Sequence, residues 1–139
     1  MTQRSQSRTW SGWYTALLLF IGIAFIIAMV PRSYNSEFSH IGQGQRVAVL
    51  IHDSKKFPSV FFMSLMNGIR ADYEGRVEFL VADIGEKQGQ AFAEKYQLTP
   101  PTLLLFDSVG ERQGEIGMTH SQANLSKAIN LGYQLPPNQ

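Results

Sequence analysis

Apolar and polar positions divide the 139-residue chain into three regimes. The first is "WYTALLLFIGIAFIIAMV", Trp13 to Val30, which carries no charge. A helix of that length rises about 27 Å, close to the hydrocarbon thickness of a bilayer, so a single membrane crossing is expected over residues 13–30. Trp10, Trp13 and Tyr14 gather at one end, where amphipathic rings favour the headgroup layer, and Pro31 follows the other. The second regime, "PRSYNSEFSHIGQGQ" over residues 31–45, is rich in Ser, Gln and Gly and keeps neither apolar period. It reads as a tether, which puts the start of the folded unit near Arg46.

The third regime alternates. "RVAVLIH" and "RVEFLVAD" are short Val-rich runs that suit strands buried on both faces of a sheet. Between them Phe62, Leu65, Met66, Ile69 and Tyr73 recur at three- and four-residue steps, the mark of a helix with one buried stripe. "EKQGQAFAEKYQL" predicts a second, short helix presenting Ala91, Phe92 and Tyr96. "TLLLF" then reads as a strand, "DSVG" as a turn and "ERQGEI" as the antiparallel return. "THSQANLSKAINLGY" closes the unit as a helix, with Thr119 and Gln122 at capping-box spacing and Leu125, Ala128 and Ile129 on its buried face. The expected fold class is α/β, a mixed sheet flanked by helices over residues 46–133, with a flexible tail at 134–139.

Charge decides orientation and removes one class of partner. Arg4 and Arg8 precede the apolar segment, whereas Arg32 and Glu37 follow it and nearly offset, so the positive-inside bias puts residues 1–12 in the cytoplasm. The folded unit then faces the periplasm or an equivalent lumen. A cleaved signal peptide is the rival reading of the same segment, but "AMVPRS" lacks a small-x-small cleavage site. A formal net charge of +1 offers no field to hold nucleic acid. His40, His52 and His120 have no paired spacing, so no metal is expected. There is no cysteine, which removes disulfides, thiolate nucleophiles and sulfur ligands together.

The element order and several local strings resemble the thioredoxin family over roughly residues 46–133. "PPTLLLF" is similar to that family's I-P-T-L-L-L-F, whose proline is cis, and Pro101 takes the position. Counting back from "YEGRVEFLVADI", the family's W-C-G-P-C falls on Lys55, Lys56, Phe57, Pro58 and Ser59. Lys56 and Ser59 replace the two cysteines, and Leu50 stands where many members keep a buried acid. Gly117 matches a glycine that follows the family's hairpin. The resemblance thus implies the scaffold without its redox chemistry, because disulfide exchange needs one thiolate to attack and a second thiol to resolve. Thiol oxidoreductase activity and a redox cofactor are not expected.

Four uses of the degenerate loop follow. Lys55 and Lys56 beside a helix start, where free N–H groups attract anions, suit an acidic peptide or a headgroup. Phe57, with Pro58, Pro100 and Pro101, makes an apolar contact patch unless the ring folds back onto its own domain. A Ser-Lys pair from Lys56 and Ser59 is a known nucleophilic arrangement, and it supplies the enzymatic alternative. In the family, the residue before the cis proline pairs with an extended peptide, but Pro100 has no N–H to give. The expectation is a membrane-anchored, redox-inactive binding or assembly module. Its partner is a protein in or at the membrane, with no small-molecule ligand, met through Lys55, Lys56, Phe57, Pro58 and Ser59 and through Thr99, Pro100 and Pro101. The alternative is an auxiliary factor working beside a cysteine-bearing protein.

Overall fold

The structure, a computed structural model, describes residues 38–136. The expected membrane span at 13–30 and residues 1–12 lie outside the described residues. Among those described, no helix is long and apolar enough to cross a membrane.

Four strands form one mixed sheet: β1 (Arg46–His52), β2 (Val77–Asp83), β3 (Thr102–Phe106) and β4 (Arg112–Ile116). Their order is β2-β1-β3-β4, with β1 and β2 parallel and the β1–β3 and β3–β4 pairs antiparallel. Position in that order accounts for the sequence patterns. The central strands β1 and β3 are covered on both faces, so their apolar runs are continuous, whereas β2 at the edge, expected to be buried on both faces, leaves Leu80 and Val81 only half-buried, and β4 is mostly exposed.

Three helices cover the faces: α1 (Phe57–Ile69), α2 (Lys87–Tyr96) and α3 (Gln122–Tyr133). α1 and α3 bury Phe62, Leu65, Met66, Ile69, Leu125 and Ile129 against Ala48, Leu50, Leu103 and Leu105. Tyr73, the last residue of the predicted stripe, sits in a 3-10 turn that continues α1 over Arg70–Tyr73. Its hydroxyl lies 2.8 Å from the Asn130 side-chain amide and 3.1 Å from the Ser126 carbonyl, which ties α1 to α3. On the other face α2 packs Phe92 and Ala93 against Val47, Val49, Ile51, Leu104 and Phe106.

Three local expectations are corrected. Ala91 is exposed, and Gly89 and Ala93 are buried instead, because with Phe92 facing the sheet the inward stripe runs 89, 92, 93, 96. α3 starts at Gln122 and is capped by Ser121, whose Oγ accepts from the Asn124 N–H at 3.2 Å, so Thr119 lies too far upstream to cap it. Ala128 is only half-buried, while Tyr133 completes the inner face. The Tyr133 hydroxyl donates to the Val47 carbonyl at 2.8 Å, and burial pushes its ionisation well above the ordinary tyrosine range.

Folded structure also extends past both expected boundaries. Residues 38–45, read as part of a tether, lie against the domain: Phe38 stacks on Phe92 with centroids 4.5 Å apart, and Ile41 joins the same cluster. Gly42 and Gly110, both at positive φ, meet back to back, and Gly44 N–H donates to the Ser108 carbonyl at 2.9 Å. A Cβ at Gly42 would stand 3.1 Å from the Val109 carbonyl oxygen, so the close approach needs glycine. Beyond α3, Gln134 closes the helix in the left-handed conformation and Leu135 packs on the core.

Candidate functional site

Strand register brings the two loops singled out by sequence to one end of the sheet. Ile51 pairs with Thr102, so the chain leaving β1 emerges beside the chain entering β3, and Leu103 pairs with Ile116, which puts the segment after β4 there too. The parallel partner β2 ends at Asp83, opposite His52, at this same end. Such an arrangement concentrates loops where the carboxyl ends of parallel strands meet helix starts.

Asp53 builds the first loop. Its Oδ1 accepts from the Lys55 N–H at 3.0 Å and its carbonyl accepts from the Lys56 N–H at 3.0 Å, which folds the chain into a turn. The Asp53 N–H donates to Ser59 Oγ at 3.1 Å, and Ser59 is fully buried. α1 then starts at Phe57 with Pro58 in its first turn, where a missing N–H leaves no bond unmade. Lys56 stands at the cap position without a side-chain acceptor for the helix N–H groups. A cation at this end is disfavoured by about 0.3–1 kcal/mol, and the Asp53 carboxylate, with Oδ2 3.6 Å from Lys56 Nζ, offsets it.

The candidate residues therefore separate by exposure. Lys55, Lys56, Phe57 and Pro58 face solvent, and Ser59 does not. Phe57 is 78% exposed. Its ring stacks on Phe61 at 6.2 Å with an interplanar angle of 20°, and Val60 extends the same turn outward. The ring does not fold into the core. Ser59 Oγ and Lys56 Nζ are both directed to Asp53, one to its amide and the other to its carboxylate, so they are not assembled as a nucleophile and its base.

In the second loop Thr99 is exposed, and Pro100 and Pro101 are half-buried with a cis bond between them. Thr102 Oγ1 donates to the Thr99 carbonyl at 2.7 Å, which holds the loop closed at its base. Met118, exposed in the segment after β4, adds a third apolar group at this end that sequence reading did not single out. Asp53 was missed as the organiser of the turn; its signal was an acid directly after a buried strand, two residues before a backbone N–H it can accept from. Two shallow grooves of about 530 and 540 Å³ lie elsewhere, against α3 and beside β2.

His52 lies beneath the loop, 5% exposed, and its Nδ1 is buried without a hydrogen-bond partner among the described residues. A buried polar atom left unpaired costs about 1–3 kcal/mol, and an apolar side chain of similar volume removes that cost. His52→Met is therefore expected to raise stability by about 1 kcal/mol in urea unfolding. A loss of stability in that variant would show that the imidazole has a polar partner in solution.

No protein-family model matches the chain, and no curated protein matches it.

Proposed function

We propose that this chain is a membrane-anchored, redox-inert thioredoxin-like module that binds a protein partner through the loop at the end of β1. The observation that carries the reading is Phe57, which holds 78% of its surface in water at the start of α1, next to a turn that Asp53 and Ser59 hold by hydrogen bonds. A large apolar ring kept open on a rigid turn loses little entropy on docking and excludes much water, as binding hot spots do. Lys55 and Lys56 beside it favour an acidic contact surface on the partner. Val60 on the same turn, with Met118 and the half-buried Pro100 and Pro101 at the same end of the sheet, widens the apolar area.

The thioredoxin-like part of the reading rests on the succession β1, α1, β2, α2, hairpin, α3 and on the cis bond at the position of the family's proline. The redox-inert part rests on the chain itself, which brings no thiol to exchange. The anchor rests on the uncharged stretch 13–30, with the folded unit on the periplasmic or lumenal side. Assembly or accessory support of a membrane complex is the role that fits a docking loop on a tethered module.

The test is capture of the partner by the full chain in its own membrane, with a photoreactive aromatic amino acid at position 57. A discrete adduct is expected. Phe57→Ala is expected to weaken capture roughly 30-fold, the effect of losing about 2 kcal/mol at a hot spot. Lys55→Glu with Lys56→Glu is expected to weaken it further and to reduce its salt dependence. Unchanged capture in both variants would assign the binding elsewhere.

A further inference from the structure

The two edges of the sheet are protected very differently. β4 has five residues, carries Arg112 and Glu115 paired at 2.6 Å, and joins β3 through a register shift at Leu105/Phe106. Short length, charge and a bulge are the devices that keep an edge from pairing with another chain. β2 is longer and unbulged, and its two charges, Glu78 and Asp83, are both half-buried. It runs seven residues, "VEFLVAD", with no proline, lysine or bulge, and among the described residues its sheet neighbour is β1 alone. Leu80 and Val81 point to opposite faces of the sheet and are both only half-buried, whereas the equivalent residues of β1 are fully covered. An additional strand would cover both.

We infer that the free edge of β2 pairs antiparallel with the same edge of a second copy, joining two four-stranded sheets into one across a two-fold axis at Leu80. The strand is complementary to itself in that register. Leu80 faces Leu80 of the copy, Glu78 faces Ala82 and Asp83 faces Val77, so no two like charges are opposed. A register moved by one residue at each partner, with Phe79 on the axis, would set the copy's Asp83 opposite Gly75, ahead of the start of β2, and leave its backbone unpaired. Moved the other way, with Val81 on the axis, Asp83 faces Phe79 but Val77 loses its partner. Leu80 on the axis alone uses all seven residues. The acidic side chains do not obstruct the approach: Glu78 Oε1 is 2.8 Å from His40 Nδ1, and Asp83 Oδ1 accepts from the Gly85 N–H at 2.8 Å. Beside Val77 and Phe79, a groove of about 540 Å³ bounded by Arg70, Ala71 and Gly75 gives the end of the copy's strand room.

The absence of native cysteine means that any disulfide-linked dimer of this chain must run through the introduced thiol. Leu80→Cys, Glu78→Cys and Val109→Cys are made in the full chain, each checked for an unchanged circular dichroism spectrum, and oxidised with copper phenanthroline in membranes. Directly opposed residues of an antiparallel pair approach to within disulfide reach, whereas Glu78 and its own copy stand four residues out of register, about 13 Å apart. Leu80→Cys is expected to give at least roughly tenfold more covalent dimer than either control, reflecting a local thiol concentration that chance encounters do not reach. Equal yields at positions 78 and 80, as anchors colliding in the membrane would produce, overturn the inference. So does absence of dimer at position 80. Either failure leaves the Phe57 capture experiment unaffected, since that loop lies at the end of β1 and not along β2.

Discussion

Phe62→Ala is expected to cost the folded unit about 3–5 kcal/mol, the range for deleting a fully buried aromatic ring. Phe62 has no exposed surface and lies in the cluster that α1 and α3 form over β1 and β3. The loss has two parts, the transfer of the ring out of water and the void left among residues whose backbones are held by the sheet. Domains of this size are stable by about 5–15 kcal/mol in total, so one truncation removes a large share. Urea unfolding followed by the near-ultraviolet signal of the tyrosines measures it. Because Phe62 lies just over one turn beyond Phe57, the same variant is expected to loosen the loop at the end of β1 before the whole domain unfolds. A loss below about 1 kcal/mol would mean that α1 does not pack as described.

Gly89→Ala tests which of two effects wins. Inside a helix, alanine is preferred over glycine by about 1 kcal/mol, so helix propensity alone predicts a gain. A Cβ at this position, however, would run into the carbonyl and amide of Asp83 at the end of β2. Overpacking costs about 1–3 kcal/mol where neighbours yield, and here the obstacle is main chain paired to β1, which cannot rotate aside. The expected net result is a loss of about 2 kcal/mol, seen as a melting temperature lower by about 10 °C. Gly117→Ala is the control, since its Cβ meets nothing within 4 Å. Equal melting temperatures for the two variants would show that α2 is not seated on β2 at Gly89.

These cases also mark what was legible in the sequence. Strands and helices announced themselves because their positions in the sheet impose simple patterns: an unbroken apolar run in central β1, a three-and-four stripe in α1, a turn at Asp107–Gly110 before β4. What stayed hidden depends on single long-range meetings that no period records. Phe38 carries no apolar period within a polar stretch, and only the fold sets it on Phe92. Ala91 and Ala93 carry equal apolarity, and only the rotation of α2 against the sheet decides which is buried. At the candidate site, Lys55 and Lys56 are exposed as their charge suggested, and Phe57, which the sequence left open between a contact patch and a ring folded back on the domain, is exposed too. Ser59 did not, because its hydroxyl accepts from Asp53 and belongs to the turn. The absence of thiols was fully readable, whereas the organiser of the turn, Asp53, was visible only as one acid among several.

The bond from Tyr133 to the Val47 carbonyl joins residues 86 positions apart. A nascent chain therefore makes its first strand long before it owns the phenol that finishes it. Until translation reaches the last helix, the sheet face over Leu50 and Leu103 lacks Leu125, Ile129 and Tyr133 as its cover. Closure of the domain is in this sense a late event in biosynthesis, and a chain halted before Leu125 leaves that greasy face open to chaperones and proteases.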